Sequence, residues 1–200
     1  MGIVDDDPSV RKGLGRLVKS AGYRVEVFAS AREFLARPQQ EDPCCLLLDV
    51  RMPGLTGLEL QEALATAGRR MSIVFVSGHG DVVGSVKAMK GGATDFLTKP
   101  VDARELLDAI ERAVAKAFTA QREQAGATDV QSRLKTLTAR EAQVFALVVT
   151  GMLNKQVAAE LGIVEKTVKV HRARVMEKMR AGSLAELVRL ADRAGIVAKP

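Results

Sequence analysis

Three kinds of side chain in the first hundred residues could do chemistry together. They are the acids Asp5-Asp6-Asp7 and Asp49, the hydroxyl of Ser77 and the ammonium of Lys99. Grouped carboxylates repel one another and resist joint ionisation unless a cation offsets them. A hard divalent ion suits such an all-oxygen set: Mg²⁺ takes one or two carboxylates, with water and phosphate oxygens completing its shell. An ionised carboxylate is also a nucleophile, and its attack on a phosphoryl group gives an acyl phosphate with no general base. A metal and an ammonium would offset charge on the transferring oxygens, and a hydroxyl could donate to the product phosphate. A single acid at a strand end is an ordinary solvated turn residue. The inference therefore depends on whether the fold gathers the whole set.

The elements between these residues can do that. Gly2-Ile3-Val4 is a short apolar run ending at Asp5, and a helix reads from a Ser9 cap through Val10, Leu14, Leu17 and Val18. Arg24 to Phe28 reads as strand and Ala31 to Ala36 as helix. Cys44 to Val50 is a buried strand, followed by a Pro53-Gly54 turn and a helix over Leu58 to Ala65. Strands over Ser72 to Val76 and Asp95 to Leu97 each precede a helix, Val82 to Lys90 and Ala103 to Phe118. Strict alternation with near-continuous apolar strands predicts a doubly wound, five-stranded parallel sheet with helices on both faces. Ligands of such sheets bind at the carboxyl ends of the strands. Asp5, Asp49, Ser77 and Lys99 follow strands one, three, four and five, so the topology brings them to one edge.

Charge separates the chain into two parts. Residues 1–120 hold 16 Lys+Arg and 16 Asp+Glu, leaving 14 and 8 of the totals of 30 and 24 for residues 121–200. A neutral front and a basic back suggest different partners, the second an anionic polymer or surface. No run approaches the roughly 20 apolar residues that cross a bilayer, and the start lacks a basic-then-apolar signal. The expectation is a cytoplasmic protein without a membrane partner. Cys44 and Cys45, neighbours in a strand, point to opposite faces and are read as small buried side chains in a reducing compartment.

Residues 119–133, rich in Gln, Ala, Gly and Thr, read as a linker between domains at 1–118 and 134–200. Beyond it every element reads as helix: Ala139 to Val149, Lys155 to Leu161, Glu165 to Met179 and Leu184 to Ala194. Asn154 to Val168 has the pattern helix, Gly162 turn, helix of a helix-turn-helix within an all-α, four-helix domain. Helical geometry puts Val168, Val175 and Met179 toward the core. Lys166, Lys169, Val170, Ala173 and Arg174 fall on the opposite face, which suits phosphates, base edges and thymine methyls.

Two resemblances sharpen this reading. Ile3-Val4-Asp5-Asp6-Asp7, Leu48-Asp49-Val50-Arg51-Met52-Pro53-Gly54, Ser77 and Lys99-Pro100 resemble the flavodoxin-like receiver domain of bacterial response regulators, over about residues 2–118. The resemblance implies Asp49 as phosphoacceptor and Mg²⁺ held by Asp6, Asp5, Asp49 and the Arg51 backbone carbonyl. It further implies Lys99 on the phosphoryl group, Ser77 and Phe96 as the switch pair, and a cis Lys99-Pro100 peptide. Phe96 stands where many such domains have Tyr, and such domains usually carry a few more residues before the first strand.

Leu137-Thr138-Ala139-Arg140-Glu141, Asn154-Lys155 and Thr167-Val168-Lys169-Val170-His171-Arg172 resemble the DNA-binding domain of LuxR/FixJ/NarL-type regulators, over residues 134–195. This implies base contacts from Lys169, Val170 and Ala173 and phosphate contacts from Lys155, Thr167, Arg174 and Lys178. It also implies pairing through the last helix, with Leu184, Leu187, Val188, Leu190 and Ala191. His171 is assigned packing or phosphate contact. The Ser77-Gly78-His79-Gly80-Asp81 loop, Asn154-Lys155 and Val170-His171-Arg172-Ala173 look most like the FixJ subgroup, and His79 receives no catalytic part.

The implied function is a two-component response regulator. A sensor histidine kinase phosphorylates Asp49, and double-stranded promoter DNA is bound by a phosphorylation-dependent homodimer, with RNA polymerase as a further partner. It would be a self-phosphorylating acceptor with slow autodephosphorylation and not a turnover enzyme. Two other readings stay open: an aspartyl-phosphate phosphotransferase or phosphatase, and a constitutive DNA-binding protein with a degenerate receiver.

Overall fold

The computed structural model describes residues 1–39, 42–78 and 82–196, and the chain divides into two compact units, Met1–Ala120 and Gln121–Pro200. The first unit alternates β1 (Gly2–Val4), α1 (Pro8–Ser20), β2 (Glu26–Phe28), α2 (Ala31–Leu35), β3 (Cys45–Leu48), α3 (Gly57–Thr66), β4 (Ser72–Ser77), α4 (Val82–Lys90) and β5 (Asp95–Thr98). The first part of α5 (Ala103–Leu134) completes it. Every strand pairs in parallel, in the order β2-β1-β3-β4-β5. The expected doubly wound sheet is present.

Alternation along each strand explains why helices cover both faces. Leu46 and Leu48 of β3 turn to one side with Val4, Phe34, Leu60 and Phe75. Cys45 and Leu47 turn to the other with Ile3, Val74, Leu106 and Ile110. Leu46, Leu47 and Leu48 are each at most 1% exposed. Truncating a leucine so placed to alanine costs about 2–5 kcal/mol, so the middle strand holds the strand ends firmly.

Local chemistry sets where the helices begin. The cap of α1 is Asp7 and not the expected Ser9: its carboxylate accepts the Ser9 and Val10 N–H groups. Pro8 follows as the first helical residue, a place where its missing N–H costs nothing. A reciprocal cap of Thr56 and Glu59 starts α3. Both cysteines are free; burial pushes the Cys45 thiol up to about 12, whereas Cys44, expected to be buried as well, is exposed just ahead of the strand.

The second unit packs the end of α5 with α6 (Ala139–Val148), α7 (Asn154–Leu161), α8 (Glu165–Met179) and α9 (Leu184–Arg193). Val144, Phe145, Val148, Val157, Val168, Val175, Met179 and Leu187 form its core. Residues 119–133, expected as a linker, are helical throughout. Val130 is 2% exposed within this core. Gln131 Nε2 donates to the Ala194 carbonyl at 3.0 Å, and Arg133 Nη1 donates to that of Met179 at 2.9 Å. The last turns before residue 134 are thus structural members of the second unit. Val130→Ala should lower the unfolding free energy of that unit by about 1–3 kcal/mol in chemical denaturation, and a value equal to wild type would return the segment to a connecting role.

Candidate functional site

The carboxyl ends of β1, β3, β4 and β5 bring Asp5, Asp49, Ser77 and Lys99 to one edge of the sheet. The backbone sets the placement: Asp49 N–H donates to the Val4 carbonyl at 2.9 Å, and Lys99 N–H to that of Ser77 at 2.7 Å. Asp5 and Asp49 are 1% and 6% exposed. Lys99 Nζ donates to both, at 2.6 Å to Asp5 Oδ2 and 2.7 Å to Asp49 Oδ1. The outer oxygens are used as well, since Asp5 Oδ1 accepts the Asp7 N–H at 2.9 Å and Asp49 Oδ2 the Arg51 N–H at 2.6 Å.

Electrostatics at this edge are uneven. Burial raises the Asp49 carboxyl above its ordinary value, and the bonds from Lys99 and Arg51 only partly oppose it. Burial by itself would lower the Lys99 ammonium, but its bonds to Asp49 and Asp5 prevail and raise it. One ammonium therefore serves two buried carboxylates. The donors are all hard oxygens. Among the described residues no three acid, His or Cys side chains form a ready metal cage. A pair of carboxylates that demands a cation, beside an exposed Asp6, fits an ion that keeps much of its water, as Mg²⁺ does.

The remaining expected residues fall close by. Ser77 is 3% exposed. Phe96 is half-buried and lies against Phe75, with ring centroids 6.1 Å apart. The Lys99-Pro100 peptide is cis. Asp7 is occupied as the α1 cap. His79 and Asp81 lie outside the described residues.

Gly57 belongs with this group, although no pattern in the sequence singles it out. Its N–H donates to the Val50 carbonyl at 3.0 Å. A Cβ added there would lie 2.1 Å from the Asp49 carbonyl oxygen and 3.0 Å from its carbonyl carbon. Backbone cannot yield as a flexible side chain can, so only glycine lets α3 close against the strand that carries Asp49. Gly57→Ala should destabilise the first unit by about 1–3 kcal/mol and shift the Asp49 amide resonance; wild-type stability with an unmoved resonance would contradict this packing.

In the second unit α7 and α8 enclose a turn at Gly162, whose φ of 64° and ψ of 36° are left-handed. Val168, Val175 and Met179 are buried as expected. Lys155, Lys166, Lys169, Val170, Ala173 and Arg174 are exposed, and Thr167 is half-buried. Lys169 makes an exposed pair with Glu165 at 3.5 Å, which contributes little to stability. Arg172 Nη1 donates to Asn154 Oδ1 at 3.0 Å and ties the two helices together. His171 is half-buried, with Nδ1 enclosed and unbonded among the described residues.

Two groups expected to make outward contacts are also engaged within their own unit. Lys178 is drawn inward: Nζ lies 2.6 Å from the Glu141 carboxylate and 3.0 Å from the Thr136 carbonyl, so its charge is already committed. In α9, Leu187, Leu190 and Ala191 fill the unit's own core, which leaves Leu184 exposed and Val188 half-buried for any pairing.

This edge of carboxylates on a five-stranded parallel sheet, carried ahead of a helix-turn-helix unit, defines a receiver joined to a DNA-binding module. Residues 1–111 match the response regulator receiver domain, and residues 135–191 match the luxR family of bacterial regulatory proteins. The chain belongs to the response regulators of this two-domain, FixJ/LuxR type. It is 47% identical to nodulation protein W of Bradyrhizobium diazoefficiens, over 98% of this chain and 86% of that protein. It is 42% identical to the transcriptional regulatory protein FixJ of Azorhizobium caulinodans, over 97% and 92%. The solved structure of the response regulator StyR is similar at a TM-score of 0.83 and 46% identity, covering 96% of this chain and 97% of that one. No helix among the described residues is long and apolar enough to cross a membrane.

The Lys178 ammonium, helped by the Thr138 N–H, holds the Glu141 carboxyl at about 2, below its ordinary 4.5. A lowered folded-state value means that ionised Glu141 stabilises the fold above about pH 4.5 and that this is lost as pH falls through about 2. Glu141→Gln should flatten the stability of the second unit across that window, and an unchanged slope would rule the pair out as its cause.

Proposed function

We propose that Asp49 is the phosphoacceptor of a switch that controls DNA binding by the second unit. The observation that carries the reading is the single Lys99 ammonium bonded to two buried carboxylates. Asp49 is held ready to act by the strand beneath it, Gly57 beside it and the Arg51 N–H on its outer oxygen. Its inner oxygen attacks phosphorus of a phosphohistidine on a sensor kinase, the phosphorus–nitrogen bond breaks, and the histidine leaves with that electron pair. Lys99 then turns from the carboxylate to the new phosphoryl oxygens.

Asp5, Asp6, Asp49 and the Arg51 carbonyl would hold Mg²⁺, which when bound offsets charge on the transferring oxygens. Ser77 donates to the phosphoryl group, and Phe96 moves with it against Phe75. Phosphorylation can shift the protein only by bonding better in one state than in the other, and Ser77 and Lys99 supply that difference. The responding surface is α4 with β5, which pairs two receivers. Paired chains then place α8 in the major groove of promoter DNA at two half-sites. Lys169, Val170 and Ala173 face bases, while Lys155, Lys166, Thr167 and Arg174 hold phosphates; RNA polymerase is a further contact in a cytoplasmic setting.

Asp49→Asn should abolish uptake of phosphate from acetyl phosphate in the presence of Mg²⁺, and chelation of the metal should do the same to wild type. Undiminished labelling of the variant would sink the assignment.

A further inference from the structure

Gln61 of α3 is a buried polar side chain with no part in the phosphoryl chemistry. It is 6% exposed, an uncommon setting for an amide. Its Nε2 donates to the Ala88 carbonyl of α4 at 3.1 Å, inside the protein. That carbonyl lies in the last turn of α4, where helices leave C=O groups without intrahelical partners. It also accepts the Ala93 N–H at 3.1 Å. The amide rests against Gly91 as well: a Cβ added there would lie 2.7 Å from its oxygen and 3.0 Å from its nitrogen.

This bond counts because α4 has little apolar packing to hold it. Its buried residues are Gly84 and Ala88, and Ala88 is the one side chain it adds to the cores among the described residues. Val82, Val83, Val86 and Met89 are all exposed. The closing end of α4 is nevertheless tied on several sides. Gln61 reaches it from α3, Lys116 Nζ of α5 donates to the Gly92 carbonyl at 3.3 Å, and Thr94 N–H donates to the Ile73 carbonyl of β4 at 2.7 Å. At the other end Val82 and Val83 are 74% and 77% exposed, and Gly84 has no side chain to pack.

We propose that Gln61 is a positioning residue of the switch. Its amide anchors the last turn of α4 to α3, and the helix answers phosphorylation by swinging its Val82 end about this fixed point. The inference rests on the phosphoryl switch proposed above and assigns it a pivot.

The test follows amide resonances and hydrogen exchange of the isotopically labelled full chain, with and without acetyl phosphate and Mg²⁺. Gln61→Met keeps the length of the side chain but removes its donor, and Gly91→Ala displaces the amide although alanine is the better helix former. Without phosphate, each should speed exchange at Gly91 and Ala93 about tenfold while Leu47 of β3 keeps its wild-type rate. On phosphorylation of wild type, Val82 to Ser85 should shift and Ala88 to Gly91 should not. In both variants the two ends should shift together, with phosphate uptake unchanged. Exchange at Gly91 and Ala93 within about twofold of wild type in both variants would overturn the proposal. So would an equal rise at Leu47, which marks a general loss of stability, or shifts spread evenly along α4 of wild type. A wild-type chain that takes up no phosphate would refute the switch itself and is told apart by its mass, since the exchange rates decide the anchor without phosphate.

Discussion

Two buried carboxylates that share one ammonium set the terms for the first unit. Asp5 and Asp49 arrive from different strands, and their charges would repel in a poorly solvated setting. Lys99 makes the arrangement tolerable by bonding to both within 2.7 Å. A pair of opposite charges about 4 Å apart is worth about 4 kcal/mol at an effective dielectric near 20, whereas leaving one buried charge without its partner costs about 3–5 kcal/mol. The site is thus stable but sensitive to anything that rearranges charge within it. A new phosphoryl group would do that.

The sheet makes this sensitivity usable. Three consecutive leucines in β3 are almost wholly buried, so the strand cannot slide to relieve the repulsion at its end. Gly57 closes α3 against the Asp49 carbonyl with no room for a side chain. With the backbone fixed on both sides, a change of charge must be answered by side chains and neighbouring strand ends. In the proposed switch, Ser77 and Phe96, on β4 and β5, are the groups that answer.

Much of this was legible in the residues themselves. Near-continuous apolar runs marked the strands, and the polar residues ending them marked the edge. Other features were hidden for physical reasons. Gly57 depends on a distance between two stretches of backbone, which no local pattern records. Lys178 lies on the border of the cationic face, and only Glu141, 37 residues earlier, reveals that its charge is taken. In α9 an apolar stripe reads the same whether it packs on its own core or on a second chain. Residues 119–133 showed so little apolar periodicity that Val130 passed as linker, and its burial became visible only with α8 and α9 around it. Ser9 reads as the α1 cap, but Pro8 at the first helical position moves the start back by two residues, to Asp7.

Chemistry at one sheet edge and binding at α8 are joined, in this account, by a shift in population between two states. The most direct test is enrichment of genomic DNA fragments by the full-length chain, with and without acetyl phosphate and Mg²⁺. Coupling of ordinary strength changes affinity about 5–150-fold, so the account predicts a defined set of fragments enriched at least about fivefold after phosphorylation. Equal enrichment of the same fragments under both conditions would contradict it.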